Sequence, residues 1–363
     1  MRARLFAWTV GSVTLIVSGC AAPGQPTSRL DDAGLRDRAV EVVKRAVRYK
    51  PLGSVRAQGL EAMQRRLGSE ALPWLRNALD DEDPGVRFAS ILALGALDDR
   101  TSYGRIHGLA EHDNASLRVA VYYALHRMGD TQYSAQLPAV LLDDPSAAAR
   151  QDAAFVLGLL GEGSAVRLLA KAMKDRDASV QRQALASMAL LGSGEAIQQL
   201  TFAVNSGTGG ERLAALIALA DLGRPELANT FRYKLRTGEY IEEKLAAARG
   251  LGLLGSREGL EVALGAAGFD SPRRDVGHDP PAEQIARVRQ LAATALGAIR
   301  DRRALPVLRQ RLYDASYPHV QVAAADAILQ ILGGPAAGRP SRPVATMSAG
   351  SGTTTPAGSG ARP

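Results

Sequence analysis

The chain has a single cysteine, Cys20, in 363 residues, which excludes a disulfide framework and any zinc site built on cysteine pairs. Aromatic side chains make up only 5%, too few for a binding face of many stacked rings. Acidic residues are missing from both ends. The first 19 residues carry Arg2 and Arg4, and the last 31 carry Arg339, Arg342 and Arg362, so the ends hold five of the net +7 charges. The remainder is close to neutral and has no cationic surplus for a phosphate backbone, so no nucleic-acid partner is expected. Motifs of catalysis are lacking too. There is no G-x-S-x-G elbow, no G-x-x-x-x-G-K-[ST] loop and no H-E-x-x-H, and the five histidines make no repeated His-Glu pair. No catalytic, cofactor or metal residue is therefore expected, and no small-molecule substrate is evident. His107 and His112 read as an exposed polar face, and Asp80, Asp81, Glu82 and Asp83 as caps and solvation.

What is present begins with an address. Arg2 and Arg4 precede an apolar stretch from Leu5 to Val17, which is the layout of a secretory signal. It is shorter than the ~20 residues of a membrane span. The stretch ends Val17-Ser18-Gly19-Cys20, which resembles the lipobox of bacterial lipoproteins. That resemblance implies cleavage before Cys20 and acylation of its thiol and new amino group, and acyl chains anchor firmly at about 0.8 kcal/mol per buried methylene. Ala21 and Ala22, rather than an Asp, imply an outer-membrane address facing the periplasm. Residues 1–19 are thus expected to be a signal, 20–30 a lipidated tether, and 333–363, rich in Pro, Gly, Ser, Thr and Ala, a disordered tail.

Between them one unit recurs nine times. Segments starting at Val55, Val86, Leu117, Ala149, Val180, Glu211, Glu243, Val288 and Val320 align, with successive starts 31 or 32 residues apart and one interval of 45. Apolar residues at the start and at offsets 4, 7, 8 and 11 make a helical stripe, and a Gly such as Gly129, Gly161 or Gly192 follows where a helix would end. A shorter helix precedes each, as in LPWLRNALD at 72–80. Turns such as Asp83-Pro84-Gly85 join the two. The turn Asp81 to Arg87, the A-x-A-L-G-x-L-G endings, and prolines early in first helices (Pro73, Pro306) resemble HEAT repeats of the short-period, phycobilin-lyase-like branch. The resemblance implies an all-α, right-handed α-solenoid of about nine stacked antiparallel helix pairs over residues 31–332. With helices spaced about 8–10 Å apart, this predicts a curved rod on the order of 80–90 Å long, with residues 35–50 as the first helix of the stack and its N-terminal cap, charged side to solvent.

Three features are candidates for function. Arg56, Arg87, Arg118, Arg150, Gln181, Arg212, Lys244, Arg289 and Gln321 form a column that either clasps an acidic peptide or, as is usual in these repeats, ties down each turn. Phe88, Leu92, Val119, Tyr122, Tyr123, Phe155, Leu213 and Ile217 form a candidate apolar groove for a protein partner on the concave face. Their alternative role is lateral packing between second helices. The long interval is an insertion at about 266–284, with Phe269, Arg273, Arg274 and His278 as candidate loop contacts. Together these features predict a lipid-anchored envelope scaffold that is not an enzyme. The alternative, implied by repeat similarity alone, is a bilin-lyase-like enzyme or chaperone-type subunit.

Overall fold

A computed structural model describes residues 31–271 and 281–333, all helix and turn with no strand among them. Nine helix pairs follow one another: α1 (Asp32–Val47) with α2 (Gly53–Leu67), α3 (Leu72–Asn77) with α4 (Pro84–Ala96), and α5 (Tyr103–His107) with α6 (Ala115–Arg127). Next come α7 (Leu137–Asp143) with α8 (Ala147–Leu160), α9 (Val166–Ala172) with α10 (Ala178–Leu190), and α11 (Gly194–Ser206) with α12 (Gly209–Asp221). The last are α13 (Ala228–Thr237) with α14 (Ile241–Leu253), α15 (Leu260–Ala267) with α16 (Pro281–Ile299), and α17 (Leu305–Arg311) with α18 (Pro318–Leu332). Part of the expected insertion is helical, because α16 begins at Pro281 and runs 19 residues.

Local chemistry sets the helix ends. Asp83 caps α4 by accepting from the backbone N–H of Gly85 at 2.8 Å and Val86 at 3.3 Å. Asn114, Ser146, Asp177 and Ser193 do the same for α6, α8, α10 and α11. Replacing Asp83 with Ala should cost about 1 kcal/mol. Thermal unfolding checks this, and an unchanged midpoint would show that the cap is dispensable. The Gly161 cap of α8 sits at φ 79°, in the left-handed region, and Arg300 takes the corresponding place after α16 at φ 57°.

The second helices pack side by side in chain order from α2 to α18, closely at every step but the one from α10 to α12, and small residues bring them close. A Cβ on Gly95 would lie 2.6 Å from the Ala124 Cα, and one on Gly297 would lie 3.0 Å from the Ala327 Cα. First helices touch one another much less. Tight spacing in one layer and loose spacing in the other turns each repeat against the last.

The turn accumulates to closure. Helix α18 packs on both α1 and α2, so the expected open rod is corrected to a closed ring, with the second helices as its inner layer. Nine helices about 9 Å apart give a ring on the order of 25 Å across its axes. Helix α1 is the first helix of the stack and turns Arg36, Asp37, Glu41 and Arg45 to solvent as expected, but it caps no open end: it fills the place a first helix would take after α18. Leu35, Ala39, Val42 and Val43 are buried along it. At this seam the Arg66 Nε donates to Asp326 Oδ1 at 2.7 Å, and its Nη2 donates to Gln330 Oε1 at 2.8 Å. His319 Nδ1 lies 2.7 Å from Gln58 Oε1, and Arg302 pairs with Asp32 at 2.6 Å. No helix among the described residues is long and apolar enough to cross a membrane.

Candidate functional site

The arginine column is spent on the scaffold. Arg56 makes a two-pronged pair with Asp81 (2.9 and 2.7 Å), and Arg150 does so with Asp175 (2.7 and 2.8 Å). Arg212 binds Glu243 and Glu239, and Arg289 binds Asp314 at 2.8 Å. Arg87 and Arg118 donate to carbonyls of their own turns, as does the Gln181 amide. Arg56, Arg150, Arg212 and Arg289 tie one turn to the next and Arg87 and Arg118 brace their own, so these guanidiniums make no free row of cations for an acidic peptide.

The apolar groove is corrected as well. Phe88, Leu92, Val119, Tyr122, Tyr123 and Phe155 are all buried in the hydrophobic core, and Leu213 and Ile217 are half-buried against it. Helices that approach this closely in a ring want apolar side chains on their flanks, and these supply them. Tyr122 belongs to an outer cluster: its ring stacks on Tyr133 at 6.1 Å, and Tyr133 meets His107 at 2.8 Å through its hydroxyl. Of the insertion candidates, Phe269 is half-buried, and its carbonyl accepts from Arg289 Nε at 2.7 Å. It lines a cavity of about 280 Å³ with Tyr240, Ile241, Glu242 and Gln284. Arg273, Arg274, His278 and the lipidation candidate Cys20 lie outside the described residues.

The seam carries a charged cluster that repeat reasoning missed. Glu61 and Asp326 occupy the position that Leu92, Tyr123, Phe155 and Ile217 hold in other repeats. An acid in that apolar position, in both the first and last repeats, was the available signal. Arg65 approaches both acids at 3.5 Å. Burial pushes the Glu61 carboxyl up to about 7, against the pull of Arg65. Burial also pushes Asp326 up, but Arg65 and Arg66 outweigh it and hold the carboxyl below its ordinary value.

One constellation invites a catalytic reading and fails on geometry. Ser134 Oγ lies 3.1 Å from His126 Nδ1, and His126 Nε2 lies 3.5 Å from Glu162. The serine hydroxyl, however, donates to the Thr131 carbonyl at 2.7 Å, so its proton is not offered to the imidazole. The histidine instead ties a turn to α6. Among the described residues no three His, Cys, Asp or Glu side chains are grouped to hold a metal.

Asp152 is buried with its Oδ1 unpartnered. Burial, partly offset by a hydrogen bond with Ser116, pushes its carboxyl up to about 6 from an ordinary 3.8. The folded state therefore binds more protons than the unfolded chain between these values, and stability falls as pH rises from about 4 to about 6. Asp152→Asn should gain about 2 kcal/mol over wild type between pH 4 and pH 7. Urea unfolding at the two pH values tests this; a constant difference would mean the carboxyl titrates normally.

A family model described as HEAT repeats matches residues 40–126 and 134–220, and one described as PBS lyase HEAT-like repeat matches 288–314. No curated protein matches the chain by sequence. Among solved structures, human deoxyhypusine hydroxylase in complex with glycerol is 20% identical, with 74% of this chain and 98% of that one covered and a TM-score of 0.38. The complex of CpcE and CpcF of phycocyanin lyase from Nostoc is 19% identical, covering 68% and 97%, with a TM-score of 0.40. Kap121p is 14% identical, covering 82% and 37%, with a TM-score of 0.34. These likenesses concern the fold alone.

Proposed function

This chain belongs to the HEAT-repeat family, and on that premise we propose that it is a lipid-anchored scaffold of the cell envelope that acts by binding proteins rather than by catalysis. The observation that carries the binding surface is where its exposed large apolar side chains sit. Phe202 is 72% exposed on α11, and Tyr313 is 49% exposed just after α17, both in the layer of first helices. The inner layer buries most of its apolar residues, Leu253 at the end of α14 being exposed, so the outer layer offers the more prominent apolar face to a partner. Closure makes that face rigid, because neither end of the repeat array is free to uncoil. The anchor rests on the Val17-Ser18-Gly19-Cys20 sequence, and tethering raises the local concentration near membrane partners.

Two measurements test the reading. Fatty-acid labelling should mark wild type and not Cys20→Ala; an unlabelled wild type would overturn the anchor. A photo-crosslinker placed at 202 should capture an envelope protein whose recovery is lost in Phe202→Asp. Capture from an inner position such as 213, undiminished by Phe202→Asp, would return the binding face to the inner layer.

A further inference from the structure

An open cavity of about 440 Å³ on the outer layer is lined by Asn205 of α11 and by Asn229, Thr230, Tyr233 and Lys234 of α13. Lys234 is the unusual member. The residue is only 7% exposed, yet among the described residues no carboxylate comes within 4.0 Å of its ammonium. Two arginines near it do have partners: Arg212 has Glu243 and Glu239, and Arg232 has Glu258. The contact that places the Lys234 Nζ is the Tyr233 ring, 5.7 Å away. A lysine with a buried stem keeps its head where it can be solvated, and Lys234 is one of the residues that line this cavity.

The remaining lining groups are matched to hydroxyls. Asn229 Oδ1 accepts from Arg232 at 3.1 Å, which leaves its N–H groups to donate. Asn205 Nδ2 donates to the Thr201 carbonyl at 3.3 Å, which leaves its Oδ1 to accept. Thr230 adds a hydroxyl that can do either. A simple anion would use donors only, whereas donors and acceptors side by side suit vicinal hydroxyls. The half-exposed Tyr233 ring gives a flat apolar surface for the C–H face of a pyranose.

We propose that this cavity binds an acidic saccharide, a sugar ring carrying a carboxylate or a phosphate. Lys234 pairs with the anionic group, Asn205, Asn229 and Thr230 hold the hydroxyls, and Tyr233 underlies the ring. This goes beyond the scaffold reading and does not depend on it, because the ligand is small and the site lies within one chain.

Saturation-transfer NMR on the full chain in detergent, with glucuronate, glucose 6-phosphate, glucose, acetate and inorganic phosphate as probes, decides the matter. At least one of the two acidic sugars should bind, and whichever does identifies the anion. Glucose should bind at least tenfold more weakly. Lys234→Met, which keeps the buried stem, should weaken the acidic sugar at least tenfold, and Lys234→Arg should restore it. Asn229→Ala, at an exposed side chain, should also weaken it and serves if Lys234→Met does not fold. Failure of both acidic sugars to bind would overturn the proposal. So would acetate or inorganic phosphate binding as well as the sugar, or full binding by Lys234→Met.

Discussion

Asp326→Ala should open the ring at its seam and cost about 3 kcal/mol. Its carboxylate accepts from Arg66 Nε at 2.7 Å and Nη2 at 3.2 Å, and Arg65 Nη2 stands 3.5 Å away. Removing it leaves two guanidiniums, each about one-fifth exposed, with Glu61 as the remaining acid beside Arg65. Breaking a buried pair from one side costs about 3–5 kcal/mol, and the partial exposure here argues for the lower end. The loss should be local, because repeats contact only their neighbours and the seam is where the two ends meet. Hydrogen exchange should quicken in α1, α2 and α18 while α8 and α10 keep their protection, and small-angle scattering should show a larger radius of gyration. Adding Arg66→Ala should recover part of the stability, since it removes one stranded charge. Unchanged exchange in α1 and α18 would show that apolar packing alone closes the ring.

Gly95→Ala should be at least as damaging, at about 3 kcal/mol or more, although it adds a single methyl group. The new Cβ would stand 2.6 Å from the Ala124 Cα and 2.9 Å from its Cβ, and a backbone atom cannot step aside as a flexible side chain can. Helix α6 is itself held by α8 on its far side, so the strain has no cheap outlet. The contact recurs: a Cβ on Gly158 would meet Ser187 Oγ at 2.7 Å, and one on Gly252 would meet the Ile299 backbone N at 2.7 Å. Gly265→Ala in α15 is the control, with nothing within 4 Å of its Cβ, and should gain up to about 1 kcal/mol of helix propensity. Urea unfolding of the two variants should move in opposite directions. A mild Gly95→Ala would mean that α4 and α6 are not wedged and that the curvature arises elsewhere.

Much of the molecule was legible in the residue order because its causes are local. A helical stripe, an Asp or Ser before it and a Gly after it act over a few residues, so the nine helix pairs and their caps could be read directly. The tie from Arg56 to Asp81 was legible too, since both lie at fixed places in a repeated unit. The Glu61–Arg65–Asp326 cluster was not, because Asp326 lies some 260 residues from the other two and meets them only when the ends do. Nor was the buried state of Phe88 or Tyr123, since an apolar side chain between second helices looks the same in sequence whether its neighbours stand apart or touch.

The amino-acid order by itself determined the period, the helix pairing and the turn-binding arginines. The tertiary structure alone decided that the array closes, which side chains line its seam, and that Lys234 lines an open cavity with no acid among the described residues near enough to pair with it. The reason is cumulative. Closure is the sum of nine small rotations of about 40° each. A few degrees' difference in every one, the width of a methyl group between helices, separates a ring from a rod.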